Sequence, residues 1–214
     1  MTVEAFQPGL SVGVAAERLP RLFQANIDRF YRRVISPGLE QFSVQFDAPE
    51  DGDAFDRLAA EVNQHTGREV RRSNALALAG LFERQVRTWA REGLPDKDAR
   101  HIAAAPLALL VEELATARAL DLHTRGDASV LRELILVANV VRHGDGPSCD
   151  ALRRHAPALR QGFETEALGV AENLHRLSEF VEIGNSDLRR YGIASARFWG
   201  LADKLLLAVN DPSY

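Results

Sequence analysis

The sequence predicts a mainly α-helical protein, on three observations. Apolar residues recur at spacings of three and four along nearly the whole 214-residue chain, which is the period of one helix face. Two-residue alternation, the mark of a half-buried strand, is confined to short scraps. Clusters of Gly, Pro, Ser and Asp cut the pattern into pieces of helix length.

Element by element, the first helix is expected from Pro20 to Ile35, with Phe23, Ile27, Phe30, Tyr31 and Val34 on one face and Pro20 in its first turn. Ser36-Pro37-Gly38 should stop it. In the next segment QFSVQF (42–46 at its centre) alternates Phe42, Val44 and Phe46 with polar residues, as a short extended ribbon would. Asp53 is an N-cap candidate for a long helix over 54–92, bent or broken near Gly67, whose second half places Leu78, Leu81, Phe82, Val86 and Trp89 on one stripe. After a turn holding Pro95, a helical pattern runs to Leu120, with Pro106 at its start or at a kink. Asp127 should cap a helix from Ala128 to His143, ended by Gly144-Asp145-Gly146-Pro147, and Ser148 or Asp150 should cap a short helix through Arg154.

The stretch SEFVEI (178–183) reads either as helix or as a second extended piece that pairs with 42–46 into a small two-stranded appendage. A last helix, 186–209, carries Leu188, Tyr191, Ala194, Phe198, Leu201 and Leu205 in register, with Trp199 falling outward. The expected organisation is one helical domain over 1–214: a core bundle of 54–160 plus 186–209, with 20–35 packed on it.

Composition narrows the functional classes. Hydrophobic residues at 46% and charged residues at 26% describe a globular chain. A single cysteine, Cys149, forbids an intrachain disulfide. The start MTVEAFQPGL lacks a basic segment leading into a long apolar run, and the longest nearly apolar run, Ile102 to Val111, is far short of the roughly 20 residues that span a bilayer. A cytoplasmic protein without membrane attachment is the expectation. The formal charge of −4 argues against a general nucleic-acid coat. Charge is uneven, however: acids dominate from Glu40 to Glu61, whereas Arg dominates from Arg68 to Arg91 and again from Arg142 to Arg160.

The chemistry-bearing stretch is LVANVVRHGDGPS (136–148). On a helix, Asn139 and His143 lie about 40° apart on one face, and Arg142 flanks them. An imidazole moves a proton to or from a ribose hydroxyl, a guanidinium holds two phosphoryl oxygens, and an amide positions either partner. His143, Arg142 and Asn139 are therefore the candidate catalytic set. Gly144, Asp145, Ser148, Arg153 and Arg154 follow as candidate substrate contacts, and Glu83 and Arg87 as supporting groups if they reach across to this helix. The structural alternative is that His and Arg sit near a helix C-terminus for capping and dipole reasons alone. His143, Asp145, Cys149, Asp150 and His155 match no standard metal spacing, so neither metal nor cofactor is expected.

The helix LRELILVANVVRHGDGPSCDALR, preceded by SNALALAGLFERQVRTW, resembles the HEPN superfamily, in a bacterial branch with an Asn-x-x-Arg/Lys-His-Gly ending. The resemblance implies an HEPN-like helical bundle that forms homodimers. It also implies metal-independent endoribonuclease activity in toxin–antitoxin or phage-defence systems, with RNA and a protein antitoxin as partners. Asn139 matches the polar position and His143 the histidine. The usual Arg position is Ala138, so the alternative is a non-catalytic protein-interaction or scaffold module that has lost the nuclease arginine.

Overall fold

The computed structural model describes residues 12–42, 53–160 and 177–212. Helix α1 (Val12–Phe30) runs through a π turn (Tyr31–Ile35) into α2 (Ser36–Glu40). There follow α3 (Ala54–Gly93), α4 (Ala99–Ala104), α5 (Leu107–Ala117), α6 (Asp127–His143), α7 (Pro147–His155) and α8 (Asn185–Ala202), with 3-10 turns at Pro157–Arg160 and Leu177–Phe180. The chain is mainly α-helical, and no strand occurs among the described residues.

Of the expected ribbon, 43–46 lies outside the described residues and Phe42 sits in a turn. The partner stretch 178–183 begins in a 3-10 turn. Its backbone is satisfied without a strand ladder: Arg72 Nη2 donates to the carbonyls of Ser178, Glu179 and Val181 at 3.4, 2.7 and 3.2 Å, and Glu182 N donates to Leu159 O at 2.8 Å.

Asp53 caps α3 as its position suggests. Its Oδ1 accepts from Phe55 N at 2.7 Å and Asp56 N at 3.0 Å, while Asp56 Oδ2 accepts from Asp53 N at 3.1 Å, a reciprocal capping box. The helix then continues unbroken for 40 residues, about 60 Å. Gly67 does not break it, because a helical glycine costs only about 1 kcal/mol and the second half is locked by Ala75, Leu78, Phe82, Val86 and Trp89 in the core.

Ser36-Pro37-Gly38 does not end the first helical segment either. In the π turn Ser36 N reaches back five residues to Tyr31 O, and the widened turn makes room for the Pro37 ring, which enters α2 in its first turn. Pro106 is the N-cap of α5, separating it from α4.

Helix α8 is the hub. Tyr191, Ala196, Phe198 and Trp199 are fully buried, with α1, α3 and α6 packed around them. Trp199, expected to face outward, is enclosed by Phe23, Phe82, Trp89 and Phe198 at ring separations of 4.9, 5.9, 5.6 and 4.8 Å. The solvent side of α8 lies instead along Ser186, Arg189 and Arg190, and Trp199 falls on the core side. Gly192 lets α1 approach closely, since a Cβ there would stand 2.8 Å from Tyr31 Cδ2. The helix stops at Ala202, short of the expected 209. Asp203 turns extended, accepting from Leu205 N at 2.9 Å and from Arg21 Nε at 2.7 Å.

Asp127 is not the cap of α6. Gly126, at φ 73°, occupies that place, and Asp127 is the first helical residue, buried against Arg197 Nη1 at 3.3 Å. Its Oδ2 accepts no hydrogen bond among the described residues. Burial raises the Asp127 pKa above the ordinary carboxylate value, with Arg197 opposing. The folded state therefore binds this proton more tightly than the unfolded state, so the group favours folding at acid pH. That contribution is lost as pH rises from the unfolded value through the folded one. Asp127→Asn should accordingly gain stability relative to wild type between pH 3 and pH 7, measured by urea unfolding. A difference that does not change with pH would contradict this account of the site.

Candidate functional site

The 136–148 stretch ends α6. Leu134, Val137, Ala138 and Val140 face the core, Asn139 is half-buried, and Arg142 and His143 are exposed. Gly144 closes the helix at φ 72°, donating its N–H to Val140 O at 2.8 Å. None of the side chains of Asn139, Arg142 and His143 forms an ion pair with a described residue. Ala138, at the position where the resemblance expects arginine, is 4% exposed and packed in the core. A guanidinium at that point of this helix would enter apolar surroundings.

The candidate substrate contacts separate into two groups. Asp145 is engaged by the chain itself, since its Oδ1 accepts from Ser178 N at 2.7 Å, fastening the Leu177–Phe180 turn beside the end of α6. Ser148 is not a cap: α7 begins at Pro147 behind Gly146, whose φ is 145°, with no side-chain cap. Ser148 is half-buried in the first turn of α7. Arg153 and Arg154 are exposed on α7, which packs against α6 through Cys149 and Leu152. Arg153 lies 4.0 Å from Asp150, a loose surface pair. Arg142, His143, Arg153 and Arg154 thus all reach solvent from the two helices that meet at Gly144-Asp145-Gly146.

Glu83 and Arg87 have other work. They pair at 2.7 Å, and Arg87 Nη1 and Nη2 donate to the carbonyls of Ile102 and Ala105 at 2.5 and 3.2 Å, closing the C-terminal end of α4. Neither bonds to α6 among the described residues. His155, expected on the exposed side of α7, is half-buried with Nε2 2.9 Å from Ser129 O. Cys149 is buried. Among the described residues no three His, Cys, Asp or Glu side chains converge as metal ligands would.

Two features escape the sequence. The carboxylate of Glu133, 7% exposed on the core side of α6, accepts from Tyr191 OH at 2.6 Å and Arg190 Nη2 at 2.7 Å. A lone acid at a core-facing helical position is a usable signal for such a cluster, but its partners lie more than fifty residues away. The second is a groove of about 870 Å³ between α5 and α6. It depends on which small residues of two helices face each other, and no local pattern reports that.

No family model matches the chain, and neither a curated protein nor a solved structure matches it significantly. No helix among the described residues is long and apolar enough to cross a membrane.

Proposed function

We propose that the chain is an HEPN-like RNA-binding protein that holds phosphates at the α6–α7 corner and does not cleave RNA. The observation that carries this reading is that Arg142 and His143 stand exposed at the end of α6, and Arg153 and Arg154 further along the antiparallel α7, while position 138 is a core-facing alanine. Exposed Arg side chains grip backbone phosphates, and such contacts supply most sequence-independent affinity. The N-terminus of α7, uncapped by any side chain, adds a favourable backbone end for an anion at the same corner. Strand cleavage asks for more: a base at the 2′-oxygen, an acid at the leaving oxygen and a fixed cation at the phosphorane. His143 supplies one proton carrier, and no group orients its ring among the described residues.

The test is binding of single-stranded RNA by fluorescence anisotropy across a salt series, with metal-free incubation of the same RNA. Wild type should bind, and Arg142→Glu with Arg154→Glu should weaken binding at least about tenfold and flatten the salt dependence by about two phosphate contacts. The RNA should stay intact. Cleavage abolished by His143→Ala would replace this reading with a nuclease, and absence of binding would remove both.

A second reading, a protein-interaction module, is favoured by a different feature. Phe55, Leu58 and Val62 are 81%, 56% and 55% exposed along one stripe of the first turns of α3, an apolar surface of the kind that partners cover. Retention of a protein partner by wild type and its loss on Phe55→Ser would support it.

A further inference from the structure

Helices α5 and α6 follow one another in the chain yet stand apart. Three of the residues facing the space between them are small, Ala108 and Ala115 from α5 and Ala128 from α6, and leave part of it unfilled. What remains is a groove of about 870 Å³, within the range of roughly 300–1,000 Å³ typical of small-ligand sites. Its apolar lining is aliphatic: Leu109, Val111, Leu120, Leu122, Leu131 and Ile135. No Phe, Tyr or Trp contributes, so the flat rings of the lining are the two imidazoles of His123 and His155 and its apolar wall is aliphatic. Leu109 is 40% exposed although it borders this apolar space.

The polar part of the lining holds one cation, Arg132, with His123, His155, Ser129, Thr116 and Glu112. Arg132 is exposed and makes no ion pair among the described residues. It follows Ser129 by three residues, which places the two side by side on α6, and Ser129 is where His155 is anchored. A carbonyl oxygen only accepts, so the contact from His155 Nε2 to Ser129 O at 2.9 Å fixes the proton on Nε2. The Nε2 atom is also 3.3 Å from Ser129 Oγ. His155 is thereby held from α7 beside Arg132, and His123 lines the same groove from the loop before α6. Glu112 is the one acid in the lining.

We infer that this groove binds a single-chain aliphatic carboxylate, with the carboxylate on Arg132 beside His155 and the hydrocarbon chain along Leu109, Leu131 and Ile135. The chemistry selects this occupant on both ends. A trough whose apolar wall is aliphatic throughout suits a flexible hydrocarbon chain. A guanidinium lacking an internal partner suits a carboxylate, which it holds with two parallel hydrogen bonds. The groove is separate from the α6–α7 corner, because neither Arg142 nor His143 lines it.

The experiment is isothermal titration of the full chain with laurate, kept below its micellar concentration, against dodecylammonium and 1-dodecanol as cationic and neutral counterparts. Laurate should bind saturably at one site, and both counterparts should bind at least about tenfold more weakly. Arg132→Glu, an exposed change that leaves packing alone, should remove the preference for the anion, and Glu112→Gln should tighten laurate. Ala115→Leu should block all three ligands by filling the groove, with circular dichroism verifying the fold. Absence of saturable binding, many weak sites of a surfactant type, or laurate affinity unchanged by Arg132→Glu would each overturn the assignment. So would equal binding of laurate and the alcohol. Preference for an acidic amphipathic peptide over laurate would assign the groove to a protein partner instead.

Discussion

Trp199→Ala should lower the stability of the chain by about 3–5 kcal/mol, the usual range for removing a large aromatic side chain from a core. In a protein of this size that corresponds to a fall of about 6–20 °C in Tm. The expectation rests on where the indole lies. It is fully buried on the hub helix and meets the rings of Phe23 from α1, Phe82 and Trp89 from α3, and Phe198 from its own helix, all within 5.9 Å. One truncation therefore loosens the packing of three helices, and the rigid rings around it cannot collapse into the space. Trp199→Phe should cost distinctly less. The indole Nε1 has no acceptor among the described residues, so replacing it removes an unpaired buried donor along with the lost volume. Equilibrium unfolding in urea measures both variants. A loss under about 1 kcal/mol for the alanine variant would contradict a core centred on this ring.

Glu133→Ala should cost about 2–4 kcal/mol, and Tyr191→Phe less, about 1–2 kcal/mol. Both Arg190 Nη2 and Tyr191 OH donate to the same Glu133 Oε1. Burial first, and the hydrogen bond to Glu133 second, push the Tyr191 phenol well above its ordinary pKa, so it remains a donor at every working pH. Losing Glu133 leaves that fully buried hydroxyl without its acceptor. Arg190 matters less, because its side chain is 44% exposed, is also bonded to Asp187 at 2.9 Å, and can turn to water. The asymmetry gives a sharp check by double-mutant cycle. In a Glu133→Leu background Tyr191→Phe should be close to neutral or stabilising, since the orphaned hydroxyl is the main cost. Equal penalties in the two backgrounds would show that the hydroxyl bond contributes nothing.

The fold was legible in the sequence where the signal is local. Asp53 and Asp56 mark the start of α3 because a capping box needs two side chains three residues apart. The positions of Phe82, Val86 and Trp89 follow from the helical period. Reading failed where a distant contact decides. Trp199 appears outward only if its side of α8 meets solvent, and the packing of α1 there, with Phe23 against the indole, covers it. Asp127 resembles a cap but is recruited by Arg197, seventy residues on. Ser36-Pro37-Gly38 has the composition of a stop, which the π turn absorbs. At the candidate site, the exposure of Arg142 and His143 follows from their place in the last turn of an amphipathic helix, and the core orientation of Ala138 follows from the same wheel. The engagement of Asp145 by Ser178, and the groove left by facing alanines, join segments whose proximity no short window of sequence encodes.

The hub position of α8 also bears on how the chain is made. Phe23, Phe82 and Trp89 emerge from the ribosome before Phe198 and Trp199, the last of them more than one hundred residues ahead. At ordinary elongation rates that is a delay of about 5–20 s. Through that interval the nascent chain carries aromatic rings whose native cover does not yet exist, so this core cannot close until α8 has been made.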